Sequence, residues 1–116
     1  MGRERLESGG RGEDRASQAL RAQGYRIVER NFRCRQGELD LIARDGDTLV
    51  FVEVRSRADD RFGGGAAAVG PGKQRQVVRV AQAYLSIRRP RFDTCRFDVV
   101  AITGDDVVVI KDAFRG

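Results

Sequence analysis

Residues 37–57 constrain the fold more than any other stretch, because two apolar runs there flank the turn residues Asp45-Gly46-Asp47. Aspartate and glycine between alternating apolar residues are typical of a β-hairpin. Side chains on a strand alternate between its two faces, so polar residues spaced by two share a face. In this hairpin those polar residues are Glu38 and Asp40 on the first strand, and Glu53 and Arg55 on the second.

The loop length decides whether these faces coincide. A two-residue loop Gly46-Asp47 in a type II′ turn sets Asp40 directly opposite Glu53. A two-residue loop Asp45-Gly46 in a type I′ turn shifts the pairing by two residues. Glu38 then lies opposite Glu53, with Asp40 on the diagonal. A three-residue loop would place Asp40 on the other face.

Both two-residue loops bring carboxylates of the two strands together. Directly opposed side chains have Cβ atoms about 5 Å apart, where two like charges destabilise the pair. A compensating cation is therefore expected, and carboxylate oxygens are hard ligands suited to Mg²⁺ or Mn²⁺. The alternative is a solvated sheet face, on which Glu and Asp are ordinary. Ile42, Leu49 and Phe51 share the face of the acids, which favours a half-buried face with the acids near one end.

The composition narrows the chemistry of such a site. The 116 residues contain no histidine, which excludes His-based zinc sites, Ser-His-Asp and Cys-His catalysis, and HNH-type nucleases. Any metal must then be held by oxygen. The net charge of +5 and the pI near 10.0 are typical of a polyanion binder. Of the 22 basic residues only Lys73 and Lys111 are lysine, which is consistent both with phosphate contact through arginine and with a compositional bias.

The length predicts a single domain at residues 10–116, after a flexible N-terminus at residues 1–9. No apolar run approaches the roughly 20 residues of a membrane span. The N-terminus also lacks the apolar core of a signal peptide. A cytoplasmic location is therefore expected, with Cys34 and Cys95 as free thiols.

The predicted elements follow the order α-β-β-β-α-β-β, which indicates an α/β or α+β sandwich with helices packed on a mixed sheet. The first helix begins at Gly12 and ends at a C-cap, Gly24. The loop at residues 58–72 contains Gly63-Gly64-Gly65 and is expected to be mobile. The other predicted elements are strands at 25–33, 94–103 and 107–112, the hairpin, and a helix at 73–88.

This order, with Asp40, twelve intervening residues and Glu53-Val54-Arg55, resembles the PD-(D/E)-x-K nuclease superfamily and its restriction-endonuclease-like three-layer α/β core. More closely, the chain resembles the YraN-like family of small bacterial proteins, which is similar to archaeal Holliday-junction resolvases. The matching stretches span nearly the whole chain. They are Gly12-Glu13, Gly24-Tyr25, Arg30-Asn31-Phe32-Arg33, residues 37–43 and 49–55, Phe62-Gly63, Lys73-Gln74 and Arg96-Phe97-Asp98.

The resemblance implies that Asp40 and Glu53 bind Mg²⁺ or Mn²⁺, and that Glu13 from the first helix adds a third acid. The implied reaction is hydrolysis of DNA phosphodiesters by an endonuclease or resolvase-like enzyme, on branched or repair intermediates. The metal would polarise the phosphate and lower the pKa of the attacking water. Without the resemblance, Glu13 has another possible role. An acid in the first turn stabilises a helix by interacting with its dipole. A homodimer is a further expectation from the resemblance.

The sequence departs from the superfamily pattern at Arg55, where lysine is expected. A lysine can shift its pKa and help to activate water, whereas arginine stays protonated. Arg55 can still neutralise charge in the transition state, and Lys73 at the start of the second helix could substitute for the missing lysine. The alternative is a catalytically weak or inactive nucleic-acid-binding protein on the same fold.

Both hypotheses need a surface that contacts a nucleic acid, with DNA expected ahead of RNA. The candidate contacts are basic or amide side chains, namely Arg33, Arg35, Arg57, Arg61, Gln74 and Arg75. Cations in the first turn of the second helix also indicate a nearby anion, because the helix dipole disfavours them there. Two further acids are interpreted as structural: Glu38 as the ion-pair partner of Arg55, and Asp98, which shares its face with Arg96.

Overall fold

The computed structural model describes residues 3–57 and 69–116, with side chains described over 12–56 and 69–116. The elements follow the predicted order. They are α1 (Arg3–Ala22), β1 (Arg26–Cys34), β2 (Gly37–Asp45), β3 (Thr48–Arg57), α2 (Pro71–Arg88), β4 (Thr94–Thr103) and β5 (Asp106–Phe114). Of the loop predicted at 58–72, residues 58–68 lie outside the described residues, with the triple glycine and Arg61, and so does the Arg57 side chain. The last two residues of that predicted loop, 71 and 72, belong to α2.

The five strands form one mixed sheet in the order β1-β2-β3-β4-β5. Neighbouring strands are antiparallel except for β3 and β4, which are parallel. Parallel neighbours need a long crossover connection, and α2 lies within it. The prediction of a mixed α/β sheet flanked by helices is therefore confirmed. Cys34 and Cys95 are free, as predicted.

Two apolar cores lie on opposite faces of the sheet. α1 packs on one face through Ala16 and Leu20, which we call the α1 face. α2 packs on the other through Val80 and Tyr84, the α2 face. Successive residues of β3 alternate between the cores, with Leu49 and Phe51 on the α2 face, and Val50 and Val52 on the α1 face. The result is a three-layer arrangement, in which each fully buried large apolar side chain contributes about 1.5–3 kcal/mol.

The hairpin between β2 and β3 closes with the two-residue loop Gly46-Asp47. The strands pair in the register that sets Asp45 opposite Thr48, which is the first of the predicted alternatives. The glycine has φ +63°, as the first central position of a type II′ turn requires. The pairs continue as far as Leu41 with Val52, whose chain neighbours are Asp40 and Glu53.

Both helices end at a residue in the left-handed conformation. After α1, Gly24 has φ +92°, and the N–H of Tyr25 donates to the carbonyl of Leu20 at 3.0 Å. This is the bond of a Schellman motif, so the predicted C-cap is confirmed. After α2, Arg89 has φ +49°, and its N–H donates to the carbonyl of Leu85 at 3.0 Å.

The starts of both helices differ from the predicted ones. α1 begins at Arg3 rather than Gly12, because the residues before Gly12 lack the apolar spacing that marks a packed helix. The flexibility of residues 1–9 stays a prediction. α2 begins at Pro71 rather than Lys73, since the fixed φ of proline suits the first helical position. Over the described residues, neither helix combines the length and the apolar character that crossing a membrane requires.

Candidate active site

Asp40 lies where the alternation of β2 shifts by one residue. Leu39 and Ile42 both face α2, whereas Leu41 between them faces α1. The Asp40 carboxylate accepts the backbone N–H of Val54 on β3 at 2.8 Å. This hydrogen bond ties the side chain to the neighbouring strand, so the sheet itself determines where the carboxylate lies.

The pKa of Asp40 is raised from 3.8 to about 7. The largest cause is desolvation by burial, followed by the negative charge of Glu53. The N–H of Val54 acts in the opposite direction because it favours the charged form, and the charge of Glu13 adds a smaller increase. Asp40 is therefore an acid whose negative charge the surrounding protein compensates poorly.

Glu53 is buried beside it, with 7% of its surface exposed. The Nζ of Lys73, from the first turn of α2, lies 3.4 Å from Glu53 Oε2. The structure thus brings Lys73 to the predicted site, as its position at the start of the second helix suggested. Asp40, Glu53 and Lys73 together keep a net negative charge when both acids are ionised, because Lys73 supplies one positive charge for two carboxylates.

Glu13 approaches the pair from α1. The amide Nδ2 of Asn31 donates to Glu13 Oε1 at 2.9 Å, and Arg30 Nη2 lies 3.5 Å from the same oxygen. The charge of Glu13 contributes to the raised pKa of Asp40, which places the third predicted acid in the electrostatic environment of the pair.

Asn31 is the residue of this site that sequence reasoning missed. It has φ +56°, a left-handed conformation that costs asparagine less than most residues. It lies on β1 between the pairs Arg30–Leu41 and Phe32–Leu39, hence opposite Asp40. The one sign of it in the sequence was that Asn31 belongs to a stretch, Arg30-Asn31-Phe32-Arg33, that matches the YraN-like family.

The residues fit a Mg²⁺ or Mn²⁺ ion through the acid pair rather than through a larger ligand set. Over residues 12–56 and 69–116, no three or more acidic or cysteine side chains are arranged to hold a metal. Mg²⁺ is commonly bound by one or two carboxylates, with substrate phosphate and water completing its shell. The raised pKa of Asp40 supports the fit, because a divalent cation would offset the repulsion between Asp40 and Glu53.

The expectation that Glu38 pairs with Arg55 was wrong. Glu38 lies opposite Arg33 on β1, and the two side chains form an ion pair at 2.6 Å. The shift in alternation at Asp40 is the cause, since it turns Glu38 away from the face that Glu53 and Arg55 share. Arg55 is half-buried and forms no ion pair with the described residues.

The residues predicted to contact nucleic acid differ in whether they already bind other groups of the protein. Arg35 and Arg75 are exposed and have no ion pair within the described parts of the chain. Arg33 is exposed but pairs with Glu38. Gln74 donates through Nε2 to the backbone carbonyl of Val69 at 2.7 Å, which gives it a structural role at the start of α2.

Asp98 has the structural environment that was predicted for it. The carboxylate is fully buried and accepts the Tyr25 hydroxyl at 2.7 Å. It also accepts Arg96 Nε at 2.8 Å and the backbone N–H of Asp112 at 2.9 Å. These partners satisfy its charge without any group from outside the protein.

A family model described as "Uncharacterised protein family UPF0102" matches residues 12–102. A UPF0102 protein of Syntrophus aciditrophicus is 48% identical over 114 residues, which cover 95% of this chain and 90% of that protein. A UPF0102 protein of Herminiimonas arsenicoxydans is 50% identical over 104 residues, covering 90% and 83% respectively. For the UPF0102 protein of Dechloromonas aromatica the identity is 54% over 102 residues, covering 88% and 83%.

Proposed function

Because the chain belongs to the uncharacterised protein family UPF0102, whose description names no activity, we propose a function from the site itself. The proposed function is metal-dependent hydrolysis of DNA phosphodiester bonds, by an endonuclease on a restriction-endonuclease-like fold. The observation that supports it is the Asp40–Glu53 pair, in which the half-buried Asp40 lies beside the buried Glu53 and the pKa of Asp40 is raised to about 7. Perturbed acids in such clusters are concentrated at functional sites.

In this proposal Asp40 and Glu53 hold Mg²⁺ or Mn²⁺, which supplies charge neutralisation and an activated water when it is bound. Lys73 and Arg55 are the cations of the chain that offset charge on the scissile phosphate. Glu13, oriented by Asn31, offers an oxygen that accepts a hydrogen bond from water near the phosphate. Phosphoryl transfer depends mainly on such positioning and charge neutralisation.

The substrate we propose is DNA, with branched or repair intermediates as the resolvase-like case. The net charge of +5 favours a polyanionic substrate. A homodimer, which the resemblance implies, and a cytoplasmic location, expected from the sequence, belong to the same proposal.

The second candidate is a protein on the same fold that binds nucleic acid without cutting it. Two observations favour it. The ammonium group of Lys73 already lies 3.4 Å from Glu53, so the chain itself supplies part of the charge that a metal would provide. Arg55 stands where the superfamily pattern has lysine, and an arginine does not deprotonate to activate water.

A cleavage assay on linear, flapped and four-way DNA with Mn²⁺, Mg²⁺ or EDTA distinguishes the two candidates. We expect metal-dependent cleavage that Asp40→Asn and Glu53→Gln each reduce on the order of 10³-fold, because each removes a ligand of the catalytic ion. Asp45→Asn is the matched control, since it neutralises a half-exposed acid at the other end of β2 and should retain activity. Arg55→Lys should cut faster than the native chain.

Cleavage that persists in Asp40→Asn would contradict the site. DNA binding without cleavage in every variant, Arg55→Lys included, would favour the second candidate.

A further inference from the structure

α2 has an exposed face that contains cations and no acid. The helix sequence from Pro71 to Arg88 has neither aspartate nor glutamate. Arg75 and Arg79 are both exposed and lie four residues apart, a spacing at which like charges destabilise a helix. Neither forms an ion pair with a described residue. The other two cations of α2 do, in the pairs Lys73 with Glu53 and Arg88 with Glu29.

These two arginines line a groove of about 390 Å³ between α2 and the residues that follow β5, which we call the α2 groove. Its polar lining consists of guanidinium and amide groups from Gln74, Arg75, Arg79, Gln82 and Arg115. No aspartate or glutamate of the described residues lines it. Arg115 has an acidic partner outside the lining, Asp112 at 3.0 Å.

An arginine-rich composition does not by itself explain this grouping. Two arginines of β1 are paired with acids, Arg30 with Asp14 and Arg33 with Glu38. On α2 the repulsion between Arg75 and Arg79 has no such compensation from the described residues. An anionic partner would relieve it, and guanidinium groups bind phosphate oxygens through two parallel hydrogen bonds.

We infer that the α2 groove binds the phosphate backbone of the nucleic acid whose phosphodiester enters the Asp40–Glu53 site. The inference rests on the proposed function. Lys73 contacts Glu53 at one end of α2, so the same helix leads from the site to the groove. At 1.5 Å per residue, Arg79 lies about 9 Å along the helix from Lys73. That distance corresponds to about three nucleotides of one strand.

The test measures DNA binding in EDTA, so that cleavage plays no part in it. Anisotropy of a labelled duplex is followed over a salt series for the native chain and for Arg75→Gln/Arg79→Gln. Two lost phosphate contacts should lower the slope of log K against log salt by about 2 and weaken binding about ten-fold or more at 0.1 M salt. The thermal midpoint should stay equal or rise, because a like-charge pair is removed.

The matched control is Arg21→Gln/Arg91→Gln, which makes the same charge change on two exposed arginines away from the groove. It should leave the slope nearly unchanged, whereas Arg75→Lys/Arg79→Lys should restore most of the native slope. Equal losses in the groove and control variants would overturn the inference, since net charge alone would then explain binding. A native slope in Arg75→Gln/Arg79→Gln would also overturn it. If the salt slopes of binding are as predicted but the chain cleaves no DNA, the nuclease proposal would be contradicted, whereas binding of the phosphate backbone at the α2 groove would still be supported.

Discussion

Two acids on the same sheet, the buried Asp98 and the half-buried Asp40, have opposite surroundings. Asp98, on the α1 face, is fully buried and accepts hydrogen bonds from Tyr25, Arg96 and the backbone of Asp112. Asp40, on β2, has one backbone donor and a second carboxylate beside it, and its pKa is raised to about 7. Burial is costly for any charge, but only at Asp98 does the protein provide the compensating partners.

The difference separates a structural acid from an acid placed for an external partner. Around Asp98 the cation, Arg96, comes from the same strand and the hydroxyl from the distant Tyr25, and Arg96 also binds Asp45 at 2.9 Å. Around Asp40 and Glu53 the described residues provide one ammonium group, that of Lys73. Such under-compensation lowers stability, and a divalent cation or a bound phosphate with its metal is the kind of group that would remove it.

The largest expected effect concerns Asp98. Asp98→Asn removes the fully buried charge that Arg96, the Tyr25 hydroxyl and the Asp112 N–H share, and leaves Arg96 with Asp45 alone, so we expect a loss of about 3–5 kcal/mol in the free energy of unfolding. Urea denaturation monitored by circular dichroism measures it. Asp45→Asn removes the other carboxylate that binds Arg96. Because Asp45 is half-exposed, this variant should lose less than about 1 kcal/mol in the free energy of unfolding. Equal losses of stability in Asp98→Asn and Asp45→Asn would contradict the interpretation of Asp98 as a structural acid whose buried charge depends on its partners.

The next effect is the pH dependence of stability that Asp40 causes. Its folded pKa of about 7 lies above its unfolded value near 3.8, so the folded chain binds more protons between these values. This contribution to stability is fully present below about pH 4 and is lost as the pH rises through 7, by up to about 1.4 kcal/mol per pH unit.

Asp40→Asn removes that dependence. In EDTA, the stability of the variant relative to the native chain should therefore be about 2 kcal/mol more favourable at pH 8 than at pH 5. Urea titrations at the two pH values measure the difference. A relative stability that does not change with pH would show that Asp40 is compensated as well as Asp98 is.

A smaller effect extends the comparison to Glu13, whose carboxylate Asn31 orients at 2.9 Å. Asn31→Gly keeps the left-handed backbone but loses the amide, so stability should change by less than about 0.5 kcal/mol while cleavage falls. Asn31→Ala loses the amide and also strains the backbone, which should cost about 1 kcal/mol or more. Thermal unfolding and the cleavage assay separate the two effects. Native cleavage in Asn31→Gly would remove Asn31 from the site.

The sequence alone predicted what alternation and turn chemistry control. The hairpin, with Gly46-Asp47 as one of its two possible two-residue loops, and the apolar stripe of α2 through Val77 and Val80 follow from local pattern. What it could not predict depends on contacts between distant elements. Two partners of Asp98 are distant in the chain, Tyr25 just before β1 and Asp112 on β5, and Glu13 is near Asp40 only because α1 packs on the sheet.

One wrong prediction has a specific cause. Strict alternation would put Glu38 on the face of Arg55, but the left-handed Asn31 and the shift at Asp40 break the alternation of β2. Glu38 therefore turns to Arg33. A single irregular residue on a neighbouring strand leaves no periodic signal in the sequence of β2, so the pattern could not reveal it.

Isothermal titration calorimetry at pH 8, without nucleic acid, measures directly whether the Asp40–Glu53 pair binds Mn²⁺. We expect the native chain and Asp45→Asn to bind the ion alike, whereas Asp40→Asn and Glu53→Gln lose binding at least ten-fold. Equal binding by all four proteins, or none by the native chain at millimolar Mn²⁺, would contradict the claim that the Asp40–Glu53 pair is placed to hold a metal.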